Sequence, residues 1–375
     1  MPKQKIAVLH ALTDRNVGGA GVLLSSLLAE SDRDAFRYGV ILPKDSAIAP
    51  RLQASGAILY RLPIRERSFS PRDLLYYRQA IADFSPDILQ THGALTARLA
   101  ALLTSEAPFA LVTRHCVFRR FRARHPLVGR LSALAEMPLT HAVIATAACA
   151  DRLAAREGFD PARILTIPNG VPVLRPPDPS EKRLFCQKHR LNFPFTVGFC
   201  ARIEKEKNPF FLVRLAEALR DRSEIGFLVI GDGSLLPSLR QAVSAAHLDA
   251  HFRFTGYTDN VSLPLSCTDI QLNASLLSET TCLSLLEGFS LGIPALAPPI
   301  GGNLETVRAH INGLFYPPNR AKECAAMLRT LIRHPATLEK LGRGAREIYE
   351  HEYKADLTAR RYEAFYRALI KNKER

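Results

Sequence analysis

Residues 195–230 read FTVGFCARIEKEKNPFFLVRLAEALRDRSEIGFLVI. Phe195 to Cys200 is a short apolar run of strand length, and a charged loop from Arg202 to Asn208 follows it. Pro209 to Asp221 then carries apolar residues at helical spacing, and Gly226 to Ile230 is a second apolar run. Strand, helix and strand in succession form the unit that builds a parallel sheet, because parallel neighbours need a crossover connection. Downstream the pattern continues with a helix around Leu235 to Ser244 and strands at Phe252 to Phe254 and Ile270 to Asn273. Upstream it is present a second time. Strands are expected at Lys5 to Leu9, Tyr38 to Leu42, Ile88 to Gln90, Ala110 to Val112 and Ala142 to Ala145. Gly18-Gly19-Ala20-Gly21 marks a tight loop between the first of these and a helix from Val22 to Ala29. The fold class is α/β, in two domains.

A chain of 375 residues is long enough for two hydrophobic cores. Between the two cycles, Pro168-Asn169-Gly170-Val171-Pro172 and Arg175-Pro176-Pro177-Asp178-Pro179 favour an extended, turn-rich connector rather than a helix. The expected division is a first domain over residues 1–172, a linker over 173–190, a second domain over 191–353 and a terminal amphipathic helix over 354–375 packing back toward the first domain. The seven cysteines form no close Cys-x-x-Cys pair, so reduced thiols and no metal site are expected. No apolar run reaches the roughly eighteen residues of a bilayer span, and the start MPKQKIAVLH lacks the apolar centre of a secretory signal. The expected location is cytoplasmic.

Three stretches carry candidate chemistry. Arg202 and Lys207 follow a strand directly, and two cations of different reach can hold a diphosphate and stabilise it as it departs; exposed ion pairs with Glu204 or Glu206 are the plainer reading. Ser278-Glu279-Thr280-Thr281-Cys282-Leu283-Ser284-Leu285-Leu286-Glu287 looks like the opening of a helix, with Ser278 and Thr281 available as caps. Its carboxylates can accept hydroxyl hydrogen bonds from sugar or ribose, and its first amides can meet a diphosphate. Glu279 in a capping pattern and a solvated Glu287 explain the same residues without a ligand. Gly292-Ile293-Pro294 and Gly301-Gly302-Asn303-Leu304-Glu305 follow; paired glycines allow close backbone approach to phosphate, and a loop-to-helix junction capped by Asn303 accounts for them equally.

Together, Arg202-x4-Lys207, Glu279-x7-Glu287, Gly292-x-Pro294 and Gly301-Gly302-Asn303-x-Glu305 resemble the retaining glycosyltransferases of family 4 (GT4), over nearly the whole chain and most strongly over residues 196–307. The resemblance implies the GT-B fold, two Rossmann-like domains facing across a cleft. It implies that Arg202 and Lys207 bind the donor diphosphate, that Glu279 approaches the transferred sugar, and that Glu287 binds the ribose. Thr281, Cys282 and Leu283 would form the backbone-binding entrance to the helix, where relatives often carry glycine. Gly18 and Gly19 resemble the loop that closes near the donor phosphates and acceptor. His92, in Thr91-His92-Gly93, would contact the sugar or acceptor, and His115 is a second acceptor-side candidate; without the resemblance each reads as structural or exposed.

The implied reaction is transfer with retention of configuration from a nucleotide-sugar, UDP being the expected nucleotide, with no obligatory cofactor and no metal. Architecture alone leaves a nucleotide-sugar epimerase of the same fold as an alternative. The net charge of +14 lies mostly in the first half, where residues 1–175 hold 23 Lys/Arg against 14 Asp/Glu. Its clearest patch is residues 114–130, RHCVFRRFRARHPLVGR, where arginines alternate with Phe118, Phe121 and Leu127. That mixture suits an anionic membrane surface, and with the family precedent it suggests a saccharide or lipid-linked envelope acceptor, as in lipopolysaccharide biosynthesis, at the inner face of the cytoplasmic membrane. A solvated phosphate-binding surface is the alternative. A basic nucleic-acid-binding protein is a more distant alternative, since the charge with Phe118 and Phe121 could contact phosphates and bases, but no specific recognition motif accompanies it.

Overall fold

Alternate residues of Ile6–Ala11 (β1) enter opposite layers: Ala7, Leu9 and Ala11 pack with Ile81, Phe84 and Leu89, while Val8 packs with Leu24, Tyr38 and Val40. A strand covered on both faces is apolar throughout, which is why this one reads as a continuous run and not as an alternating one. The computed structural model describes residues 5–13, 15, 17–63, 71–93, 95–114, 127, 131, 134–147, 154–276 and 281–373. It divides into two compact units, Met1–Pro172 with Lys354–Arg375, and Val173–Tyr353.

The first unit continues with α1 (Gly19–Ala29), β2 (Phe36–Pro43), α2 (Ala49–Ala54), β3 (Ile58–Leu62), α3 (Pro71–Phe84), β4 (Ile88–Thr91), α4 (Leu95–Leu103), β5 (Phe109–Arg114), β6 (Ala142–Ala145) and β7 (Ile164–Thr166). All strand pairs are parallel, in the order β3-β2-β1-β4-β5-β6-β7. The order reverses between β1 and β4, so the crevice where a doubly wound sheet takes a ligand lies at the ends of those two strands. The C-terminal helix Ala355–Lys373 belongs to this unit: Ala359, Tyr362 and Tyr366 pack with Val8 and Leu28, and the Tyr366 hydroxyl donates to Gln90 Oε1.

The second unit runs α5 (Pro179–Lys188), β8 (Phe195–Cys200), α6 (Phe211–Ala218), β9 (Ile225–Ile230), α7 (Leu236–Ala245), β10 (Phe252–Gly256), α8 (Ser262–Leu265), β11 (Ile270–Leu272), α9 (Leu283–Ser290), β12 (Ala295–Ala297), α10 (Asn303–Thr306), β13 (Gly313–Phe315), α11 (Ala321–Arg333) and α12 (Pro335–Ile348). Its parallel sheet has the order β10-β9-β8-β11-β12-β13, which repeats the first unit's winding and places the reversal between β8 and β11. Phe199, Phe211, Phe227 and Tyr316 lie within one buried layer of this unit. Each unit is therefore a Rossmann-like domain.

Two sequence expectations are corrected. The linker expected over 173–190 ends sooner: residues 173–178 carry no helix or strand, but Pro179–Lys188 is helical, and both stretches lie in the second unit. Proline at the first helical position costs no hydrogen bond, and Asp178 and Glu181 close a capping box, with Ser180 N at 2.8 Å from Asp178 Oδ1 and Asp178 N at 3.1 Å from Glu181 Oε2. Nor are Gly19 to Gly21 loop residues, since α1 begins at Gly19. Gly21 lies within the helix because α1 runs against Ile48, whose Cγ1 would stand 2.9 Å from an added Cβ. The edge strand β3, and β7 and β13 of only three residues each, escape the apolar-run pattern. Among the described residues no helix is long and apolar enough to cross a membrane.

Candidate functional site

The chain leaves β8 at Cys200 and β11 at Leu272, on the two sides of the second sheet's reversal. After β8, Lys205–Lys207 forms a single 3-10 turn, ended by Asn208 in the left-handed conformation at φ 53°. Arg202 is exposed and donates to Glu206 Oε1 at 3.1 Å. An exposed pair of this kind is worth only about 0–1 kcal/mol, so it does little to keep the guanidinium from an arriving phosphate. Glu204 does not pair with Arg202. Its carboxylate accepts from Ser234 N at 2.8 Å and from Ser234 Oγ at 2.6 Å, which holds it below the usual carboxylate range.

Ser234 ends a motif absent from the sequence reading, Gly231-Asp232-Gly233-Ser234 at the end of β9. Gly231 has φ 130°, and a Cβ there would lie 2.1 Å from Ala201 O; one on Gly233 would lie 2.6 Å from Ile203 O. Only glycine lets this loop run beside residues 201–203, where Ile203 N donates to Asp232 O at 2.9 Å and Leu235 N to Ile203 O at 3.0 Å. The strand-then-Gly-x-Gly spacing was the available signal.

After β11, Asn273 and Ser275 are buried, and Leu276 N donates to Glu206 O at 3.1 Å, tying this loop to the Lys205–Lys207 turn. Glu279 lies outside the described residues. The helix carrying Glu287 begins later than the sequence suggests: α9 starts at Leu283, with half-buried Thr281 before it and Cys282 at the N-cap, making no side-chain cap bond. Thr281 is therefore not a helical residue. Cys282 Sγ instead accepts from Asn273 Nδ2 at 3.1 Å and lies 3.3 Å from Ser284 Oγ. Asn273 is the centre of this network: its Oδ1 accepts from Ser275 N at 3.0 Å, and its carbonyl from the Tyr316 hydroxyl at 2.7 Å.

Gly288, beside Glu287, allows α9 to lie on the sheet, since a Cβ there would fall 1.7 Å from Gln271 Nε2. Gln271 Nε2 donates to Leu285 O at 3.3 Å. The Gly292-x-Pro294 element ends this helix: Ile293 N bonds Gly288 O at 2.9 Å and Gly292 N bonds Phe289 O at 3.0 Å, with Gly292 at φ 74°. Gly302, not Asn303, is the N-cap of α10. The Asn303 side chain is buried and donates to Pro298 O at 3.1 Å, so it braces the preceding turn. Gly301 turns the chain at φ 57°, and Glu305 is half-buried.

Lys207, Cys282 and Glu287 are thus gathered around Cys200 at the reversal of the second sheet, with Arg202 following Cys200 closely in the chain. The Cys200 thiol records it: burial first, then the nearby Glu287 and Cys282, push its pKa well above the ordinary value, while Lys207 opposes them. Two cations, a helix N-terminus without a side-chain cap and a carboxylate one turn into that helix suit a diphosphate joined to a polyol.

In the first unit, Gly18 is the N-cap of α1 and makes no side-chain cap, as glycine must. His92 follows β4 directly, is buried, and places Nε2 at 3.1 Å from His10 Nδ1. His115 and most of residues 114–130 lie outside the described residues. Leu127, Leu131 and Leu134 are helical and exposed.

The family model for glycosyl transferases group 1 matches residues 183–348, and that for glycosyltransferase family 4 matches residues 17–175. The chain is 29% identical over 289 residues to a 2-deoxystreptamine glucosyltransferase of Streptomyces kanamyceticus, covering 71% of this chain and 73% of the relative. It is 28% identical over 184 residues to the UDP-Gal:alpha-D-GlcNAc-diphosphoundecaprenol alpha-1,3-galactosyltransferase of Escherichia coli, covering 46% of each. The crystal structure of Anabaena HepE in complex with UDP and glucose superposes with a TM-score of 0.83 at 17% identity, covering 96% of this chain and 98% of HepE. Two family models that between them take in both sheets, and a fold shared with HepE, lead to one conclusion: the chain belongs to glycosyltransferase family 4, with GT-B architecture, and is a glycosyltransferase.

Proposed function

We propose that the enzyme transfers a sugar from a UDP-sugar, with retention of configuration, to a saccharide or lipid-linked glycan. The observation that carries this reading is the gathering of Lys207, the α9 N-terminus and Glu287 around Cys200, which Arg202 follows closely in the chain, where the second sheet reverses. Arg202, Lys207 and the first amides of α9 hold the diphosphate, and their pull grows in value as the glycosidic C–O bond breaks and charge collects on the leaving phosphate. The acceptor hydroxyl attacks from the face the diphosphate leaves, which preserves configuration. Glu287 accepts from the ribose hydroxyls and Glu279 from the sugar; neither acts as the nucleophile of a glycoside hydrolase, whose two carboxyls flank the scissile bond. His92 and the Gly18-Gly19 start of α1 serve the sugar and acceptor side. UDP as the nucleotide is supported by the HepE complex.

A lipid-linked acceptor is supported by the diphosphoundecaprenol-linked substrate in the name of the Escherichia coli relative. Leu127, Leu131 and Leu134 expose apolar side chains, and the sequence of 114–130 is rich in arginine, a combination that suits a peripheral membrane contact. Sedimentation with vesicles checks that contact: binding should rise with anionic lipid, and equal recovery with and without vesicles contradicts it.

The test of the reaction is a panel of nucleotide-sugars incubated with a membrane-lipid acceptor extract, with products read by mass and by the anomeric coupling constant. A sugar added to an acceptor with the donor's configuration is expected. Isomerised donor without transfer would identify an epimerase instead, and an inverted product would exclude front-face attack.

A further inference from the structure

His92 is held from three directions. Its amide donates to Ala11 O at 2.9 Å. Gly93 turns the chain at φ 84°, with room for no side chain because a Cβ would stand 2.2 Å from Thr13 Oγ1. The Gly93 carbonyl accepts from Arg98, whose Nε donates to Glu136 Oε1 at 2.6 Å; Arg98 is 5% exposed and Glu136 0%, so this ion pair is inside the protein. The third hold is on the ring: His10 Nδ1 lies 3.1 Å from His92 Nε2 with the rings tilted by 36°, and the His10 ring is stacked with Tyr38 at 6.1 Å. His10 is fully buried in the middle of the sheet, between Val40 on β2 and Gln90 on β4.

A neutral imidazole has one donor nitrogen and one acceptor nitrogen. A nitrogen–nitrogen contact of 3.1 Å between two such rings holds one proton. If His10 Nδ1 carries it, His92 Nε2 accepts and His92 Nδ1 bears the ring's own proton; if His92 Nε2 carries it, His92 Nδ1 is a bare acceptor. The state of one ring therefore dictates the hydrogen-bonding character of the other. We propose that His10 is a positioning residue that fixes the ring tautomer of His92, so that His92 meets the sugar or its acceptor with a nitrogen of one defined character. This rests on the reading of His92 as a contact of the reacting sugar. The buried Arg98–Glu136 pair holds the backbone beside it still.

The experiment labels the histidines of the full chain with ¹⁵N and assigns His92 through His92→Gln. In the wild type, the two His92 ring nitrogens should resonate as those of a single tautomer. His10→Phe keeps a ring against Tyr38 and removes the nitrogen; the His92 signals should then move toward averaged values. With that change kcat should fall about tenfold or more, while KM for the donor stays within about twofold. His10→Asn offers an amide in place of Nδ1 and should restore the single tautomer, with kcat within about threefold of wild type. His10→Leu is measured in parallel, so that one folded variant lacking the nitrogen suffices. His92 signals unchanged in that variant overturn the proposal whatever the activity. Signals that follow His10 while His92→Gln transfers sugar at the wild-type rate keep the coupling and remove the sugar-contact reading.

Discussion

At the scale of single residues, Arg202 and Lys207 should separate stability from turnover. Arg202 is exposed and pairs with Glu206 at the surface, so Arg202→Ala should leave the melting temperature nearly unchanged. Each of Arg202→Ala and Lys207→Ala should lower kcat by about 10²- to 10³-fold, the usual cost of removing one donor from a developing charge, as steady-state kinetics with the preferred donor would read. Wild-type kcat in both would deny the pair its role. Gly288→Ala should behave in the opposite way, since the added Cβ meets Gln271 Nε2 at 1.7 Å. A loss of about 1–3 kcal/mol in urea unfolding is expected, and an unchanged midpoint would show that α9 can shift off the sheet freely. These two cases also mark what the sequence makes legible. Arg202 and Lys207 stand out because cations directly after an apolar run need an explanation within their own loop. Gly288 and Asn273 do not stand out, because Gln271, Cys282 and Tyr316 reach them only once the sheet and α9 have packed.

At the scale of elements, α5 shows how proline misleads. Pro176-Pro177-Asp178-Pro179 reads as extended chain, yet the last proline occupies the one helical turn that tolerates it, and Asp178 caps it. The Asp178 carboxylate accepts from Ser180 Oγ at 2.6 Å and Ser180 N at 2.8 Å, which lowers its pKa. A folded-state pKa below the unfolded one means that the cap stabilises at neutral pH and down to about pH 3.9, the ordinary value. That stabilisation is lost as the pH falls further, through the folded-state value. Asp178→Ala should therefore melt below wild type at pH 7, with the gap narrowing in acid; a gap that widens in acid would contradict the cap. The longer strands and helices were legible from their apolar periods. Their ends were not, since the start of α9 depends on the side-chain network around Asn273 and the end on a left-handed Gly292.

At the scale of the whole molecule, the chain crosses from the first unit to the second near Pro172 and returns at Lys354. The first unit's core includes Ala359, Tyr362 and Tyr366 from the C-terminal helix, so a chain ending at Tyr353 should lose the first unit and keep the second. Differential scanning calorimetry should show one transition removed and UDP binding retained; two intact transitions would contradict that dependence. If the donor nucleotide binds at the reversal of the second sheet, calorimetric titration of UDP into wild type and Glu287→Ala will register it. Affinity at least about tenfold weaker in the variant, at an unchanged melting temperature, is the predicted result, in keeping with the loss of hydrogen bonds to a charged group. Equal affinity in the two proteins would place the nucleotide elsewhere and contradict the account.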